Sequence, residues 1–595
     1  MSVLETPRIY FKGQIAWDPI TTNNYCTNYE EDSGQSILPG DVTVAKMVQD
    51  FRTSAINQVT SNGNWNPHGT HRATFYECAV CGFDLGAGVS TDDPFVSGAV
   101  DFAGMLVDLE PFGSLSSQLF FDVMGFGVEG GYHIRAPRSF RVTDRYINFA
   151  RNSANRMIAG VASVVWQTSF RKTDGLRVDA FDSTALQALA SGLADDDVLG
   201  LTVRFNTYRT IYYDNPDLSN GSPGTLAAGK ALQSKLNGGG FQPNPARSLL
   251  VGVLGLWRTG EPVHEPGDRA LTPAANSPLA SAHVRLGPGS ITIDLANSVP
   301  EIDKQLTKQD LGTLSLVSVA DDGAKTPVAD FPYPAYAKAA YEQTAGLIAA
   351  PVGTDALAAA AGGTLQLCDP SGAPLLTETV RRAVPASPNL YLSEDETVTA
   401  AFQVYDRGNP AAGAFEVTLY TIRADGGRIM DTLQATTDAN GVLSVPLTGA
   451  AGGIQAYVPV LAGGDPAPAE GIDPQANTYM YVRSLPRDDF VAELPPTWDN
   501  VYANVLANWN ALAPCMDNWL DLGNAYQVRS YAAVLKRLTD PANFEAFRFM
   551  PVTRDMTVGE RTLLWRFLDA PDQPTAAAPA APPGIVAFSR AMRRP

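Results

Sequence analysis

The hydrophobic and polar residues of this chain alternate mostly over short stretches, in the pattern of β-strands. The segments that begin at Val198 and Leu249 are short, largely apolar runs bounded by turn-forming residues, which is typical of buried strands. Ser290–Asp294 alternates apolar and polar residues with a period of two, as expected for a strand with one face in water. We therefore predict a large β-rich N-terminal region over 1–320, built as one domain or two subdomains.

The pattern changes character between 396 and 470. Short alternating segments follow one another with turn signals about every ten residues, which fits a small immunoglobulin-like β-sandwich. Asn440 and Gly441 predict a two-residue hairpin turn, because such a turn needs positive φ angles. We assign residues 321–395, which precede this sandwich, to a mixed connecting region.

A helical region is predicted over 497–570. An apolar stripe at spacings of three and four supports it, formed by Val501, Val505, Trp509 and Leu512. Thr557 and Glu560 have the spacing of a capping box at the start of a further helix, and Ser183 or Thr184 could cap a helix in the first region. Together the patterns predict an α+β, β-rich fold: a large N-terminal β region, an immunoglobulin-like β-sandwich and a small C-terminal helical region.

Composition narrows the class of protein. Of the 595 residues 45% are hydrophobic and 18% are charged, which is the balance of a folded globular protein. The net charge of −19 argues against a nucleic-acid partner or an anionic membrane surface, because both attract basic proteins. The N-terminus lacks the apolar core of a signal peptide, and no window approaches the ~18 apolar residues of a membrane-spanning helix. With only five scattered cysteines, we expect a reduced, cytoplasmic protein.

The best candidate metal site is a cluster of histidine and cysteine. Four of the chain's ten His and Cys residues, His68, His71, Cys78 and Cys81, fall within one short segment. Two imidazoles and two thiolates are a donor set that tetrahedral zinc prefers. Because residues three apart on a strand face opposite ways, Cys78 and Cys81 could chelate together only across a turn. The alternatives are a structural zinc site, or buried thiols beside two loop histidines.

Two other histidines, His133 and His264, are candidates for a metal or haem ligand. His133, in a Gly-Gly-Tyr-His-Ile setting, could supply an axial haem ligand or a base, or be a hydrogen-bonded structural residue. Glu261 and His264 have the ExxH spacing of helical metal sites. Pro262 and Pro266 forbid that helix, so we reject this metal site.

The sequence ends in a Pro/Ala-rich linker and a short tail, at 571–595. The tail carries three arginines on an otherwise acidic protein. It is either a frayed terminus or a peptide that docks into a partner's groove. The residues that would anchor it are Ile585, Val586, Phe588, Met592, Arg593 and Arg594.

Six segments, taken together, resemble one enzyme family. They are PRIYFKG (7–13), LADDDVLGLTV (193–203), VGVLGLWRTGE (251–261), ITIDLANSVP (291–300), SPNLYL (387–392) and MPVTRDMTVGERTLLWRFL (550–568). The family comprises the imine-coupling enzymes of bisindole pigment pathways, namely the iminophenylpyruvate dimer synthase of violacein biosynthesis and its chromopyrrolate synthase relatives. The segments keep the family's order.

The resemblance implies a haem-associated enzyme that oxidatively joins two molecules of indole-3-pyruvate imine, which a partner L-amino-acid oxidase supplies. In the family, such a segment is followed by a ferritin-like domain with Glu and ExxH metal-ligand motifs. This chain departs from the family there, and residues 497–595 contain no histidine. His71 and His133 fall near positions where the family has histidine, whereas Cys78 and Cys81 have no evident counterparts.

Two functions from different classes follow. The first is a scaffold or substrate-side subunit of a split oxidative enzyme of secondary metabolism, which couples amino-acid-derived imines only with a separate ferritin-like or amino-acid oxidase partner. The second is a non-catalytic structural or recognition protein that binds a protein or glycan through its β-sandwich loops. A homo-oligomer is compatible with either function. A haem or a structural zinc ion is the cofactor to look for.

Overall fold

The computed structural model describes most of the chain. The described residues are 3–17, 29–30, 35–36, 71–108, 115–128, 131–148, 163–212, 246–303, 305–423, 429–450, 453–468, 471–512 and 520–570. His68 and the linker and tail at 571–595 therefore lie outside the described residues. Within these ranges the chain forms three β-structures, followed by a group of helices.

The first β-structure is an eleven-stranded antiparallel sheet drawn from 8–258. Its strands, and the separate hairpin of β2 with β3, are β1 (Arg8–Trp17), β2 (Tyr29–Glu30), β3 (Gln35–Ser36), β4 (Arg72–Asp84), β5 (Val89–Ser90), β6 (Ala99–Asp108), β7 (Ser117–Val128), β8 (Gly131–Pro137), β9 (Val142–Asn148), β10 (Ser163–Arg171), β11 (Arg177–Val178), β12 (Val198–Tyr212) and β13 (Ala246–Arg258). One helix, α1 (Thr184–Leu193), packs against it. Ser183 caps that helix, as predicted, by accepting a hydrogen bond from the Leu186 N–H at 3.1 Å.

This sheet closes on itself. Its order runs β8-β7-β6-β4-β1-β13-β12-β10-β9, and β9 pairs back onto β7. The closing pairs are Gln118 with Thr143 and Leu119 with Val142. Because the ends of the sheet meet, the side chains that point inward are enclosed on all sides. We call this unit the closed sheet.

Aromatic rings fill the interior of the closed sheet. The ring centroid of Phe75 lies 4.9 Å from that of Phe102 and 5.3 Å from that of Phe205. Such tilted and edge-on contacts suit the charge distribution of aromatic rings. Gly252 makes room for one of them, because a Cβ at that position would lie 2.2 Å from the ring of Phe11.

The second β-structure is an eight-stranded antiparallel sheet with the order β18-β17-β20-β21-β14-β15-β16-β19. Its strands are β14 (Arg269–Pro273), β15 (Ala282–Gly287), β16 (Ser290–Asp294), β17 (Leu314–Val319), β18 (Lys325–Phe331), β19 (Leu347–Pro351), β20 (Thr364–Cys368) and β21 (Pro374–Thr379). Three short helices accompany it, α2 (Tyr333–Tyr336), α3 (Lys338–Thr344) and α4 (Thr354–Gly362).

The environment of β16 differs from the sequence prediction. The strand itself is confirmed, but its polar residues do not face water, since Thr292 and Asp294 are both buried. Thr292 accepts a hydrogen bond from Arg8 at 3.5 Å, and Asp294 accepts one from Arg204 at 2.9 Å. The polar face of β16 therefore contacts the closed sheet instead of solvent.

The third β-structure is a two-sheet sandwich over 381–485. Its strands are β22 (Arg381–Pro385), β23 (Asn389–Ser393), β24 (Thr397–Asp406), β25 (Asn409–Pro410), β26 (Glu416–Arg423), β27 (Ile429–Thr436), β28 (Val442–Thr448), β29 (Gly453–Leu461) and β30 (Met480–Leu485). One sheet joins β22, β24, β25 and β28, and the other has the order β23-β30-β29-β26-β27. Apolar residues of both sheets form its core.

The turn at Asn440 and Gly441 is not the predicted hairpin. It connects β27 to β28, which belong to different sheets of the sandwich. The Asp438 carboxylate accepts hydrogen bonds from the N–H groups of Asn440 and Val442 at 2.9 Å each, which bends the chain locally. Gly441 has a φ of +73°, and a Cβ there would meet the Ala411 carbonyl oxygen. A glycine is therefore required at this position, but the turn carries the chain from one sheet to the other instead of closing a hairpin.

The C-terminal group of helices begins at 489. It comprises α5 (Asp489–Glu493), α6 (Trp498–Val501), a π-helical turn (Tyr502–Leu506), α7 (Ala507–Leu512), α8 (Ala525–Ser530), α9 (Ala532–Leu538), a 3-10 turn (Pro541–Asn543) and α10 (Val558–Asp569). Val501, Val505 and Trp509 of the predicted stripe are buried in its core. The side chain of Leu512 lies outside the described part.

The predicted capping box is confirmed at the start of α10. The Thr557 hydroxyl accepts a hydrogen bond from the Glu560 N–H at 3.2 Å, and the Glu560 carboxylate accepts one from the Thr557 N–H at 2.9 Å. Asp488 adds a further acceptor, bonded by the Gly559 N–H at 2.9 Å. These bonds satisfy N–H groups that a helix start otherwise leaves unpaired.

The overall class of the fold agrees with the sequence prediction: an α+β, β-rich protein with large N-terminal sheets, a β-sandwich and a small helical region. Of the helices in the described ranges, none combines the length and the apolar character needed to cross a membrane.

Candidate functional site

His71 is a buried structural residue in this fold. It lies directly before β4, is 5% exposed, and its Nδ1 is 2.9 Å from the carbonyl oxygen of Leu106. Burial lowers the pKa of His71 to about 4, so the imidazole is neutral near pH 7. The hydrogen bond to Leu106 occupies one of its two nitrogens.

The two thiols of the predicted zinc site point to different parts of the molecule. Cys78 packs in the aromatic core of the closed sheet, with its Sγ 3.2 Å from the Gln14 carbonyl oxygen. Cys81 packs on the opposite side of β4, with its Sγ 3.8 Å from the Gln343 carbonyl oxygen. Burial raises the pKa of Cys78 to about 12 and that of Cys81 to about 11, so both are protonated thiols.

This separation corrects the zinc prediction for Cys78 and Cys81. No turn interrupts β4 at Gly82, so the two side chains alternate across the strand as strand geometry requires. Over the described ranges, no three His, Cys, Asp or Glu side chains come together in a way that could hold a metal ion. His68, the fourth residue of the predicted set, lies outside those ranges.

His133 lies on β8 at the rim of the closed sheet. Its ring contacts Phe181 at 5.4 Å and Phe95 at 6.3 Å between centroids, and its Nδ1 is 4.0 Å from the Asp179 carboxylate. The side chain is 14% exposed. As placed, these residues do not fit a haem, because the ring of Phe181 occupies space beside the imidazole. Haem ligation by His133 remains a prediction that would require Phe181 to move.

A cleft lies beside the N-terminal segment, β10 and β12. Its accessible volume is about 10 Å³, which is room for about one water molecule, and it is lined by Val3, Gln167, Thr202, Arg204, Glu261, Pro262 and Gly267. Glu261 is the lining carboxyl group. Its Oε2 accepts a hydrogen bond from the Arg258 N–H at 2.6 Å, whereas its Oε1 is buried without a hydrogen-bond partner in the described structure.

Burial favours the protonated, neutral form of two acidic groups at this cleft, Glu261 and Glu5. Burial raises the pKa of Glu261 to about 8, and the nearby carboxylates of Asp268 and Glu5 act in the same direction. Burial and the Asp268 carboxylate raise the pKa of Glu5 to about 7, while the Arg258 guanidinium acts in the opposite direction. Glu261 is therefore mostly protonated near pH 7 and able to donate a hydrogen bond or a proton.

Arg204 fixes the floor of the cleft. Its Nε donates to Gln167 at 3.0 Å, its Nη1 to Asp294 at 2.9 Å and its Nη2 to Asp268 at 3.3 Å. With three directed hydrogen bonds the guanidinium is held rigidly. Since two carboxylates already pair with this guanidinium, the group of the cleft that suits a ligand's hydrogen-bond acceptor is the neutral carboxyl of Glu261.

Sequence reasoning did not identify this cleft. Glu5 and Glu261 are far apart in the chain, and the sequence marks Glu261 only as part of an ExxH metal motif. That motif is indeed not helical here, because the segment from Glu261 to His264 has no regular secondary structure. The available signal was the family resemblance, since the segment VGVLGLWRTGE ends on Glu261 and PRIYFKG begins two residues after Glu5.

Comparison with known proteins gives one sequence relative. No protein-family model matches the chain. The sequence is similar to the 2-imino-3-(indol-3-yl)propanoate dimerase of Chromobacterium violaceum, at 22% identity over 405 residues. The match covers 65% of this chain and 35% of that protein, so the chain spans little more than a third of the relative's length.

Solved structures give weaker matches. A fibronectin(III)-like module structure of Clostridium thermocellum CbhA is 9% identical, covers 36% of this chain and 92% of that chain, and has a TM-score of 0.11. Trypsin-activated α2-macroglobulin of Escherichia coli is 7% identical, covers 81% of this chain and 29% of that chain, and has a TM-score of 0.14. At such TM-scores neither match defines the fold or the function.

Proposed function

We propose that this chain is the scaffold or substrate-side part of an oxidative biosynthetic enzyme that couples amino-acid-derived imines. The observation that carries the proposal is the similarity to the imino-acid dimerase, which extends over 405 residues. The redox centre would belong to a separate ferritin-like or amino-acid oxidase partner.

The cleft supplies chemistry that suits an imine. A neutral Glu261 could donate a hydrogen bond to an imine nitrogen once the cleft opens to admit the substrate. Joining two such imines through a new carbon–carbon bond releases two protons and two electrons. The protons could leave through carboxyl groups of the cleft, whereas the electrons require the partner's redox centre.

Reconstitution tests this proposal. The full chain, a candidate partner and their mixture would each be supplied with imine generated from tryptophan by an amino-acid oxidase, and the coupled dimer measured by mass spectrometry. We expect dimer from the mixture only. Dimer formation by the chain alone, or a haem Soret band in its absorption spectrum, would overturn the assignment of the redox centre to a partner.

A matched pair of variants tests the role of the cleft. Glu261→Gln keeps the size of the side chain but removes its exchangeable proton, and we expect at least about a 10-fold loss of dimer formation. Glu342→Gln is the control, because the partly exposed Glu342 side chain forms surface ion pairs with Lys12 and Lys338 at 3.8 Å each, away from the cleft. Equal activity of the two variants would remove Glu261 from the site.

The tail is proposed as a docking element for this partner. Its apolar and arginine residues, from Ile585 to Arg594, would enter a groove on the partner. A pull-down compares the intact chain with one that stops at Ala570. Retention of the same partner by both forms would contradict the docking role while leaving the enzymatic proposal open to the reconstitution test.

A recognition function has one specific observation in its favour. Among the described strands, β27 is the edge of its sheet next to β26, and it exposes Met430 by 50% and Leu433 by 47%. An edge strand of this kind can add a strand from a binding partner. If the chain is a non-catalytic recognition protein, Leu433→Lys abolishes partner binding, and the mixture forms no dimer with either the parent chain or the variant.

A further inference from the structure

The cleft beside β10 and β12 is closed in this structure. Its accessible volume of about 10 Å³ holds about one water molecule, which is far less than a small organic ligand needs. A ligand therefore reaches Glu261 only if one side of the cleft moves. Three parts of the chain form its sides: the strands β10 and β12, the irregular segment 261–267, and residues 3–6, which precede β1 and contribute Val3. We call residues 3–6 the N-terminal strap.

The N-terminal strap lies directly over the cleft. Val3 packs on Gly255 of β13, where a Cβ would lie 3.2 Å from the Cα of Val3. Gly255 pairs with Thr202 on β12, and Thr202 also lines the cleft. Val3 and Thr202 are 1% and 5% exposed, so neither side chain is open to solvent. The strap therefore covers the cleft at Thr202.

The other two sides of the cleft are firmly anchored. Gln167 donates hydrogen bonds to the carbonyl oxygens of Pro262 at 3.3 Å and Glu265 at 2.8 Å. Arg382, which is buried, donates one to the carbonyl oxygen of Pro266 at 2.8 Å. Buried hydrogen bonds are costly to break, because the groups that made them are left without partners. The strands β10 and β12 are in turn held by their pairing within the closed sheet. Neither of these two sides is suited to move.

The N-terminal strap is fastened differently. It has no regular secondary structure, and the Leu4 carbonyl oxygen accepts a hydrogen bond at 3.0 Å from Arg8, the first residue of β1. Farther along the strap, the Oε1 of Glu5 accepts a hydrogen bond from the Nε of Arg285 at 2.9 Å. The side chains of Glu5 and Arg285 are 29% and 14% exposed. Because water reaches this ion pair, it opens at a lower cost than the buried bonds of the segment 261–267.

We propose that the N-terminal strap is the lid of the cleft and moves away about the start of β1 to admit the substrate. In the closed position the strap keeps water away from the Glu261 carboxyl. In the open position the cleft gains the space that Val3 occupies. The ion pair of Glu5 with Arg285 helps to hold the lid closed. This inference rests on the function proposed for the cleft, because it describes how the substrate reaches that site.

A disulfide lock tests whether the strap must move. Val3→Cys and Gly255→Cys are combined, because a Cβ at Gly255 would lie 3.6 Å from the Cγ1 of Val3, which brings the two Cβ atoms within reach of a disulfide. In the reconstituted mixture we expect the oxidised double variant to form at least about 10-fold less dimer than the same protein after reduction. The parent chain, taken through the same oxidation and reduction, is the control. Equal dimer formation by both forms, with the bridge verified by peptide mass mapping, would overturn the proposal.

Cysteine labelling tests the opening without any enzymatic activity. Thr202→Cys places a thiol under the strap, and its reaction with iodoacetamide reports how often the cleft is open. Arg285→Gln weakens the ion pair with Glu5, so we expect it to raise the labelling rate at position 202 by roughly 2- to 5-fold. Cys78, in the core of the closed sheet, is the internal control, and its rate should not change. An unchanged rate at position 202, or an equal acceleration at Cys78, would contradict the lid.

The two experiments separate the lid from the proposed function. If the mixture with the parent chain forms no dimer, the proposed function fails, while the labelling rates still decide whether the strap opens. If dimer forms, and neither the disulfide lock nor Arg285→Gln has its expected effect, the lid is wrong and the imine-coupling function stands.

Discussion

Arg204 and Asp294 form a buried ion pair that joins the closed sheet to the eight-stranded sheet. The Nη1 of Arg204 lies 2.9 Å from the Oδ2 of Asp294, and their side chains are 2% and 7% exposed. Burial raises the pKa of Asp294 even though the guanidinium acts to lower it. The pair is therefore held at a desolvation cost, and its value lies in fixing one sheet against the other.

Removing the cation of this pair should be strongly destabilising. Arg204→Leu leaves Asp294 and Asp268 buried without their charged partner, and we expect a loss of about 3–5 kcal/mol in the free energy of unfolding. Chemical denaturation measures it. The control is Arg258→Leu, which removes a half-exposed pair with Asp197 at 2.8 Å and should cost at most about 1 kcal/mol. Equal losses in the two variants would contradict the importance of burial.

The capping box of α10 gives a second prediction. Thr557→Ala removes the hydroxyl that accepts the Glu560 N–H and that also contacts Asp488. We expect a loss of about 1–2 kcal/mol in the free energy of unfolding. Thr557→Ser retains the hydroxyl and should stay within about 0.5 kcal/mol of the parent chain. A serine variant as unstable as the alanine variant would mean that the methyl group of Thr557, and not its hydrogen bonds, supports the helix.

Local features of this fold could be predicted from the sequence, whereas long-range features could not. The strands at Val198 and Leu249 and the caps at Ser183 and Thr557 depend on neighbouring residues, and all four are found. The closure of the first sheet depends on the pairing of Gln118 with Thr143, and no turn-forming sequence predicts that pairing. For the same reason, the prediction that the polar residues of β16 face solvent is wrong. The residues that cover them come from distant parts of the chain.

The candidate sites show the same limit. The proximity of Cys78 and Cys81 in sequence suggested one metal site, but an uninterrupted strand sends them to opposite sides. Conversely, the cleft at Glu261 assembles residues hundreds of positions apart. The pKa of Glu261 is raised mainly through burial, which is a property of the packed structure.

The thiols give a third prediction. Since burial keeps Cys78 and Cys81 protonated, and the thiolate is the reactive form, both should react slowly with iodoacetamide in the folded protein near pH 8. Peptide mass mapping should show fast labelling only after denaturation. Rapid labelling of Cys78 in the folded chain would mean that β4 opens, because this thiol lies in the closed core.

Glu560 gives a prediction about pH. Burial raises its pKa from 4.5 to about 8, and the neighbouring Asp488 acts in the same direction. Between these two values the folded protein binds more protons at this group than the unfolded chain does. The free energy of unfolding therefore falls as pH rises through that range, by at most about 1.4 kcal/mol per pH unit for this one group. Glu560→Gln keeps a capping-box residue at this position but cannot ionise.

Comparing the parent chain with Glu560→Gln isolates the effect of ionisation at Glu560. Melting temperatures would be measured at several values between about pH 5 and about pH 8. The parent chain should lose stability relative to Glu560→Gln as the pH rises, because only the parent has a group here that ionises in the unfolded chain and stays protonated in the folded one. Glu261 has a pKa raised in the same direction and remains in both proteins, so its contribution cancels in the difference. Parallel curves for the two proteins would show that Glu560 is already ionised in the folded state, and that Thr557 and the helix start then stabilise its charge.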